Sequence, residues 1–173
     1  AIQQGLVLLP EDRRVSGLVN VRSIKENVSL PNLKRFAKRL LLNCRKEASE
    51  VKSYVSQLHV KAKDIDVATG TLSGGNQQKV VIAKWLMSSP EVLIVDEPTR
   101  GIDVGAKYEI YSLLCQLADE KKAIVMISSD LPELLGICDR IIVMSSGRLT
   151  GNIPIEEASQ EVIMTYATQN CDD

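Results

Sequence analysis

The fold is decided by residues 71–104, TLSGGNQQKVVIAKWLMSSPEVLIVDEPTRGIDV. Ser73 occupies the place of a helix N-cap, and a helix-forming run, Gln77–Met87, lies behind it. Gly74 and Gly75 lack a Cβ atom, so an anion can approach the free backbone N–H groups at the positive end of the helix dipole. This pattern predicts a phosphate site at the start of the helix.

A short apolar run follows that helix. Val92–Val95 is bounded by prolines, which is typical of a strand buried on both faces of a parallel sheet, and it ends in Asp96 and Glu97. Ligands of open α/β sheets sit at the carboxyl ends of the strands, so we expect these carboxylates beside a metal-bound nucleotide. One of them can hold Mg²⁺ while the other activates a water. The next loop leaves Asp103 beside the same strand end.

Each piece alone has a plainer reading. A Ser-Gly-Gly before a helix is as often only a well-capped loop, and an apolar run that ends in Asp-Glu is more often an ordinary strand end than a catalytic pair. Together, in this order and at this spacing, the pieces favour nucleotide chemistry.

Several motifs resemble those of the ATP-binding cassette (ABC) ATPases. LSGGNQQ at 72–78 resembles their signature motif, VLIVDEP at 92–98 their Walker B strand, and RGIDVGAK at 100–107 their D-loop. PEDR at 10–13 and ISSDLPELLGICDRIIVMSSG at 127–147 resemble more narrowly the second cassette of bacterial monosaccharide importers of the ribose, xylose and arabinose type. The resemblance covers most of the chain.

The resemblance implies an α/β fold, a P-loop NTPase-like ABC nucleotide-binding domain with a mainly parallel sheet, flanking helices and a helical subdomain. It is weakest at 30–66 and near the C-terminus. On this basis residues 22–88 form a helical and signature subdomain inserted in a RecA-like core of 1–21 and 89–153. Residues 154–173 form a C-terminal helix and tail.

The same resemblance implies the site. Asp96 would hold Mg²⁺ and Glu97 would polarise the attacking water. The resemblance also implies that the signature reaches across an interface to the nucleotide of another cassette. The residues that it implies in ATP binding are Ser73, Gly74, Gly75, Gln77, Glu11 and Asp103. Two positions depart from the family pattern, since Glu11 stands where members usually carry Gln, and Ser129 stands at the place of the switch histidine. A serine cannot shuttle a proton as a histidine does, so we expect a slow site on Glu97.

A phosphate-binding loop is absent from the sequence. That loop needs GxxxxGK followed by Ser or Thr, and the chain contains no Gly-Lys pair. We interpret the chain as an N-terminally truncated cassette; a processed chain, or a cassette that lost the loop, is the alternative. Truncation predicts weak ATP binding by the chain alone. It also predicts exposed apolar side chains at Leu6, Leu8, Val95 and Ile127.

Composition fits a globular domain with a core. The chain has 173 residues, is 45% hydrophobic and 25% charged, and carries a net charge of −1, which argues against a broad nucleic-acid surface. No apolar run approaches the roughly 18 residues of a membrane span. The cysteines, which lack metal-site spacing and are predicted to be reduced and mostly buried, are Cys44, Cys115, Cys138 and Cys171. The only histidine, His59, is expected to be a surface or half-buried helix residue.

Periodicity predicts the remaining elements. Strands are predicted at 5–9, 123–127, 140–144 and 148–153, the last antiparallel and the others parallel. Helices are predicted within 23–66 with a break at Pro31, behind Gly105, at 132–138 and at 159–167, before a frayed tail at Asp172 and Asp173.

A basic segment follows Pro31. Its charged residues are Lys34, Arg35, Lys38, Arg39, Arg45 and Lys46. Its apolar residues near one helical stripe are Leu33, Phe36, Leu40 and Cys44. A membrane-surface role, an acidic partner, a solvated helix face and, by resemblance, a permease contact all remain open.

Two functions follow. The first is part of an ATPase that powers sugar import at the cytoplasmic face of the bacterial inner membrane. Its partners would be a second cassette (the N-terminal half of the same polypeptide), transmembrane permease subunits and, indirectly, a periplasmic sugar-binding protein, with no nucleic acid. The alternative is a docking half-site that donates its signature and does little chemistry. A cassette of chromosome maintenance or translation is disfavoured, because a helical insert of about forty residues is too short for a coiled-coil arm.

Overall fold

A computed structural model describes residues 1–38 and 41–169, with the Lys38 side chain left out. The residues named above that lie outside this range are Arg39, Leu40, Cys171, Asp172 and Asp173. The chain forms two compact units, Ala1–Ile127 and Ser128–Asp173. The predicted division at 22–88 stays a prediction.

The helices are α1 (Ile24–Ser29), α2 (Leu33–Phe36), α3 (Cys44–Gln57), α4 (Gly74–Leu86), α5 (Val104–Asp119), α6 (Leu131–Ile137) and α7 (Gln160–Ala167). The strands are β1 (Leu6–Leu9), β2 (Ala37–Lys38), β3 (Leu41–Leu42), β4 (Val92–Asp96), β5 (Ala123–Ile127), β6 (Arg140–Ser145) and β7 (Arg148–Pro154). Short single-turn helices occupy Ile2–Gln4, Arg13–Gly17, Leu30–Asn32, Thr69–Thr71 and Ile155–Glu157.

The centre of the first unit is a three-stranded parallel sheet in the order β1, β4, β5. Its register pairs Leu9 with Val95 and Asp96 with Ile127. One face is buried, because Val7, Leu9, Leu93 and Val95 are at most 3% exposed. The predicted parallel sheet is confirmed for these strands.

The other face of this sheet is open. Leu6, Leu8 and Ile127 are 37%, 49% and 49% exposed, as predicted, but Val95 is fully buried and the prediction for it was wrong. Side chains alternate along a strand, so Val95 shares the buried face with Leu93. The expectation that β4 is buried on both faces was also wrong, since Ile94 is only half-buried.

The helical segment between Ser23 and Asp66 contains a feature that was not predicted. The chain leaves α2 at Ala37, and β2 pairs with β3 in an antiparallel ladder. The predicted helical stripe through Leu33 and Phe36 therefore ends there. Strands of two residues show no detectable alternation, so periodicity could not reveal them. Helix α1 begins with a capping box of Ser23 and Glu26, a signal that the sequence does carry.

Two cations of the basic segment, Arg35 and Lys46, pair with Glu50, and the role of the segment stays a prediction. Lys34, Arg35, Arg45 and Lys46 are exposed. Arg35 lies 3.1 Å from the Glu50 carboxylate, and Arg35 Nη1 donates to the Met87 carbonyl at 3.3 Å.

Among the described cysteines, Cys44 and Cys115 are free thiols, as predicted. Their predicted burial was wrong, since Cys44 and Cys115 are exposed and Cys138 is half-buried. Cys115 falls beside the buried stripe of α5, formed by Ile110, Leu113, Leu114 and Leu117.

The second unit is a β-hairpin with α6 and α7, and its core contains Ile141, Val143, Ile153 and Ile163. The predicted antiparallel last strand is confirmed, because β7 pairs with β6. The prediction that the strand at 140–144 extends the parallel sheet was wrong among the described residues. Ser146 and Gly147 both adopt positive φ, which closes a tight hairpin and gives β6 its sequence neighbour as a partner.

Candidate functional site

Parallel pairing brings three strand ends to one edge of the sheet. Leu9 lies beside Val95, and Asp96 lies beside Ile127. Glu11 follows the end of β1, while Asp96 is the last residue of β4 and Glu97 comes directly after it. Three carboxylates that the sequence singled out therefore leave the sheet at its carboxyl edge, the usual ligand position of such folds.

Glu97 leaves the strand through an unusual backbone. Its φ is 44°, in the left-handed region, and its N–H donates to the Ile127 carbonyl at 2.8 Å. A non-glycine residue in this region costs free energy and is found mostly where the surroundings impose it. The backbone therefore turns at Glu97, directly after the strand that ends in Asp96.

The signature helix begins where the sequence predicted. Ser73 is the N-cap residue of α4, with extended backbone, and it is exposed. Its Oγ accepts from the Asn76 Nδ2 at 2.8 Å and not from a backbone N–H. Asn76 Oδ1 in turn accepts from the Lys61 N–H at 2.7 Å, which ties the first turn of α4 to the segment after α3.

The two glycines of this turn are packed against protein atoms. A Cβ on Gly75 would lie 2.6 Å from the Ala106 Cβ of α5. A Cβ on Gly74 would lie 2.8 Å from the Arg13 Nη2 and 3.2 Å from the Gly101 carbonyl oxygen. The glycines therefore let α4, α5 and the loop between β4 and α5 approach closely. The sequence pattern predicted anion binding by these glycines and gave no sign of this packing role.

Gln77 is buried, with 1% of its surface exposed. Its Nε2 donates to the Thr69 carbonyl at 3.1 Å, and its Oε1 accepts from the Arg14 Nε at 3.4 Å. The amide thus holds the turn before α4 against the segment after β1. In this structure Gln77 supports the start of the helix from inside.

The loop between β4 and α5 is held at both ends. Asp103 is the N-cap of α5, and its Oδ1 accepts from the Ala106 N–H at 3.0 Å. Arg100 forms an ion pair with Glu11. Arg13 donates from Nη1 to the Arg100 carbonyl at 2.8 Å and from Nη2 to the Gly101 carbonyl at 3.3 Å. Arg13 is the last residue of the PEDR motif, and no spacing in the sequence points to these contacts.

Ser129 belongs to the second unit, two residues after β5. Beside it, the Ser128 Oγ lies 3.2 Å from the Glu133 carboxylate and accepts from the Asp130 N–H at 3.1 Å. His59 is exposed in the turn after α3, where its φ is 50° and its carbonyl accepts from Lys79 Nζ at 3.2 Å. The predicted surface position of His59 is confirmed.

Burial and ion pairing change the pKa of several side chains around α4. Lys79, whose side chain is 5% exposed, lies 2.7 Å from the Glu109 carboxylate of α5. The hydrogen bond from Lys79 and its positive charge lower the pKa of Glu109. Burial lowers the pKa of Lys84, whose Nζ donates to the Gly17 carbonyl at 2.8 Å. Burial, and then the charge of Arg14, lower the pKa of Arg13.

The donor set fits Mg²⁺ better than a metal held by protein alone. Within residues 1–38 and 41–169 no group of three or more His, Cys, Asp or Glu side chains is arranged to hold a metal ion. Mg²⁺ commonly uses one or two carboxylates together with phosphate oxygens and waters. Asp96 and Glu97 at the sheet edge can supply such a partial set.

A separate cavity of about 490 Å³ lies among α1, α3 and β3 and includes Arg22, Asn27 and Glu47 in its lining. It contains none of the predicted site residues. Over the part of the chain that the structure describes, no helix combines the length and apolarity needed to cross a membrane.

The ABC transporter family model matches residues 2–100. The chain is 52% identical over 168 residues to the xylose import ATP-binding protein XylG of Thermoanaerobacter pseudethanolicus, covering 97% of this chain and 33% of that protein. It is 52% identical over 168 residues to the ribose import ATP-binding protein RbsA of Clostridium tetani, covering 96% and 33%. With the L-arabinose transport ATP-binding protein AraG of Geobacillus stearothermophilus, identity is 47% over 169 residues, covering 98% and 33%.

The chain thus spans about a third of the length of these relatives. Two solved structures share the fold. The ATP-binding cassette MJ0796, a dimer in a post-hydrolysis state bound to ADP and Pi, has a TM-score of 0.72 at 22% identity, over 88% of this chain and 64% of that one. The cassette MJ1267 has a TM-score of 0.77 at 20% identity, over 95% and 69%. The chain belongs to the ABC transporter family.

Proposed function

We propose that the chain is part of an ATP-hydrolysing subunit that drives carbohydrate import across the bacterial inner membrane. The observation that carries the proposal is the placement of Asp96 and Glu97 at the carboxyl edge of the parallel sheet. Relatives at about half identity are named as xylose and ribose import ATP-binding proteins. Because the chain spans a third of the length of these relatives, we propose the activity, the substrate and the partners of the whole protein.

Asp96 and Glu97 divide the chemistry in this proposal. Asp96 holds Mg²⁺, which when bound neutralises charge on the transferring phosphoryl group. Glu97, the next residue along the chain, orients a water and accepts its proton. Glu11 and Asp103 lie in the loops next to this edge and contribute to nucleotide binding.

The signature serves a second cassette. The exposed Ser73 and the backbone N–H groups of Gly74 and Gly75 stand at the positive end of the 13-residue helix α4, where a γ-phosphate is stabilised. Gln77 takes part by supporting this turn from inside. One of the similar cassettes is a dimer bound to ADP and Pi, which supports a second cassette as partner.

A docking half-site is the second candidate. The observation that favours it is Ser129 at the place where the family carries a histidine, because a hydroxyl does not exchange protons near neutral pH as an imidazole does. In this version the chain donates Ser73, Gly74 and Gly75 to its partner, and its own Glu97 turns over slowly.

The remaining partners follow from the import role. They are transmembrane permease subunits and, indirectly, a periplasmic sugar-binding protein, and the chain works at the cytoplasmic face of the inner membrane. No nucleic acid is involved, consistent with a net charge of −1.

Sugar uptake by proteoliposomes that contain the complete importer with this chain tests the proposal. We expect uptake of ribose, xylose or L-arabinose with Mg-ATP and none with ADP. Asp96→Asn should raise the Mg²⁺ concentration needed for half-maximal ATPase activity, whereas the matched change Asp119→Asn at an exposed site of α5 should not. Uptake without ATP, uptake of none of the three sugars, or an unchanged Mg²⁺ requirement in Asp96→Asn would contradict the proposal.

A further inference from the structure

Arg13 joins three segments of the first unit. Its two terminal nitrogens donate to the neighbouring carbonyls of Arg100 and Gly101, at 2.8 and 3.3 Å. The same Nη2 lies 2.8 Å from the position of a Cβ on Gly74, the first residue of α4. Two residues earlier, Glu11 pairs with the Arg100 guanidinium. The segment after β1 thus binds the loop after β4 through the side chains of Glu11 and Arg13. Arg13 also contacts the start of α4.

The position of Arg13 is electrostatically unfavourable. A cation beside the N-terminus of a helix faces the positive end of its dipole. The Arg13 Nε is buried and has no hydrogen-bond partner in the part of the chain that is described, and burial lowers the pKa of the side chain. Both effects oppose folding. Features that cost stability without a compensating gain in packing are found most often where function requires a fixed geometry.

The geometry of the contact suits arginine. The guanidinium is a planar fork whose two ends can donate to two adjacent carbonyls at once, whereas a lysine ammonium reaches one such position. Gly101 has a φ of 66°, so the loop makes a left-handed turn at the point that Arg13 holds. Because its terminal nitrogens are engaged with backbone carbonyls, Arg13 is placed to act through other residues.

We propose that Arg13 is a positioning residue that fixes the loop Arg100–Asp103 against the first turn of α4, so that both move as one body. This inference rests on the proposed function, in which Ser73, Gly74 and Asp103 face the nucleotide. The signature, which faces the nucleotide of the partner cassette, then keeps a constant position relative to Asp103, which lies beside the sheet edge of this chain. Breaking the Arg13 contacts separates the two segments without removing any group that touches the nucleotide.

Amide hydrogen exchange on the 173-residue chain tests the structural half of this proposal, and it needs no activity. We expect Arg13→Met to speed exchange about tenfold both at 77–78 in α4 and at 102–107 in the loop and α5, because two charge-assisted hydrogen bonds are lost. Arg13→Lys should show a smaller rise in both segments. Arg45→Met, the same change at an exposed arginine in α3, should alter neither.

The exchange result has clear contrary outcomes. If Arg13→Met exchanges like Arg45→Met, or if only one of the two segments responds, the two segments are not joined through Arg13 and the proposal is overturned. If circular dichroism shows that Arg13→Met is unfolded, Arg13→Lys is compared with Arg45→Met instead. Exchange must then rise in both segments of Arg13→Lys for the proposal to stand.

ATPase kinetics of the complete importer test the functional half. Per assembled complex, the maximal rate should fall about tenfold in Arg13→Met and by less in Arg13→Lys, while the ATP concentration for half-maximal rate stays within about twofold. Partial rescue by lysine and a constant KM separate positioning from loss of folded protein. Unchanged rates in both variants overturn the proposal. A wild-type importer that does not hydrolyse ATP contradicts the proposed function instead, and leaves the exchange experiment decisive.

Discussion

The start of α4 and the end of β4 carry the two halves of the proposed chemistry, yet they are built differently. At the start of α4 the residues around the glycines are engaged within the fold, since Gly75 packs against Ala106 and Gln77 is buried with both ends of its amide hydrogen-bonded. At the end of β4, Asp96 and Glu97 are only half-buried at the edge of the sheet. The signature is thus part of the packing, while the carboxylates lie at its margin.

This difference decides what a mutation can report. A substitution at Gly74 or Gly75 changes the contact between α4, α5 and the loop before it has any effect on a bound phosphate. A substitution of Glu97 by the isosteric glutamine changes charge at a half-buried edge. Loss of activity in a glycine variant is therefore weak evidence for phosphate binding.

The largest effect is expected for Gly75→Asp. A Cβ there would lie 2.6 Å from the Ala106 Cβ, and the added carboxylate would be buried, so the free energy of unfolding should fall by about 3 kcal/mol or more. Urea unfolding of the chain without nucleotide measures it. Gly75→Ala isolates the steric part and should cost about 1 to 3 kcal/mol.

Two further variants control this prediction. Gly105→Ala, where the added Cβ meets only the Asp103 Oδ1 at 3.5 Å, should be close to neutral. Adding Ala106→Gly to Gly75→Ala removes the clashing methyl group and should restore part of the lost stability. If Gly75→Ala is as stable as Gly105→Ala, the packing role of the signature glycine is refuted.

A smaller effect is expected in the middle of α4, where the buried Lys79 meets the half-exposed Glu109. Glu109→Gln leaves a buried ammonium without its counter-charge and should cost about 1 to 3 kcal/mol in unfolding free energy. Lys79→Met leaves a carboxylate that water can reach and should cost less. Urea unfolding measures both losses. Equal losses in the two variants would show that burial of Lys79 does not make removal of Glu109 the more costly change.

The same pair predicts a pH dependence. The pKa of Glu109 is lowered below its ordinary value of 4.5 by Lys79, so the folded state holds the ionised form more tightly than the unfolded state does. The stabilisation is fully present above pH 4.5 and is lost as the pH falls through the lowered pKa. The stability difference between wild type and Glu109→Gln should therefore shrink in acid. A difference that stays constant between pH 7 and pH 3 would contradict this assignment.

The smallest effect on stability is expected on the open face of the sheet below the carboxylates. Leu8 and Ile127 are each 49% exposed, so Leu8→Gln and Ile127→Gln should lower binding of a hydrophobic dye while changing unfolding free energy by less than about 1 kcal/mol. Leu9→Gln on the fully buried face is the control and should destabilise the chain strongly. Unchanged dye fluorescence in both exposed-face variants would mean that this face is not the dye site.

The parts of the fold that the sequence predicted well are those with long or bounded patterns. Helix α4 and strand β4 have a capping residue, an uninterrupted run and flanking prolines, so local signals agree. The hairpin of β2 and β3 was missed because two-residue strands carry no period. The partner of β6 was missed because the turn at Ser146 and Gly147 pairs β6 with β7. That turn was used to predict the direction of β7 and not the pairing of β6.

The site shows a similar limit. The sequence pointed to Asp96 and Glu97 because they end an apolar strand, and the resemblance to ABC ATPases pointed to Glu11; the roles of all three stay predictions. It could not show that Gly75 meets Ala106, or that Arg13 reaches the carbonyls of the loop after β4, since those contacts join residues far apart in the chain. Side-chain contacts of high sequence separation depend on the packed fold and leave no local signal.

The most direct test of the account compares Ser73→Glu with Glu97→Gln in the reconstituted importer at saturating Mg-ATP. Ser73 is exposed at the N-cap of α4, so a glutamate there brings a negative charge to the proposed γ-phosphate position without the clash expected at Gly75. Glu156→Gln, at an exposed site, is the control. We predict that Ser73→Glu lowers ATPase activity about a hundredfold and that Glu97→Gln lowers it by less than about tenfold. Equal losses would contradict the account, because Glu97 would then serve a site as active as the one that the signature completes.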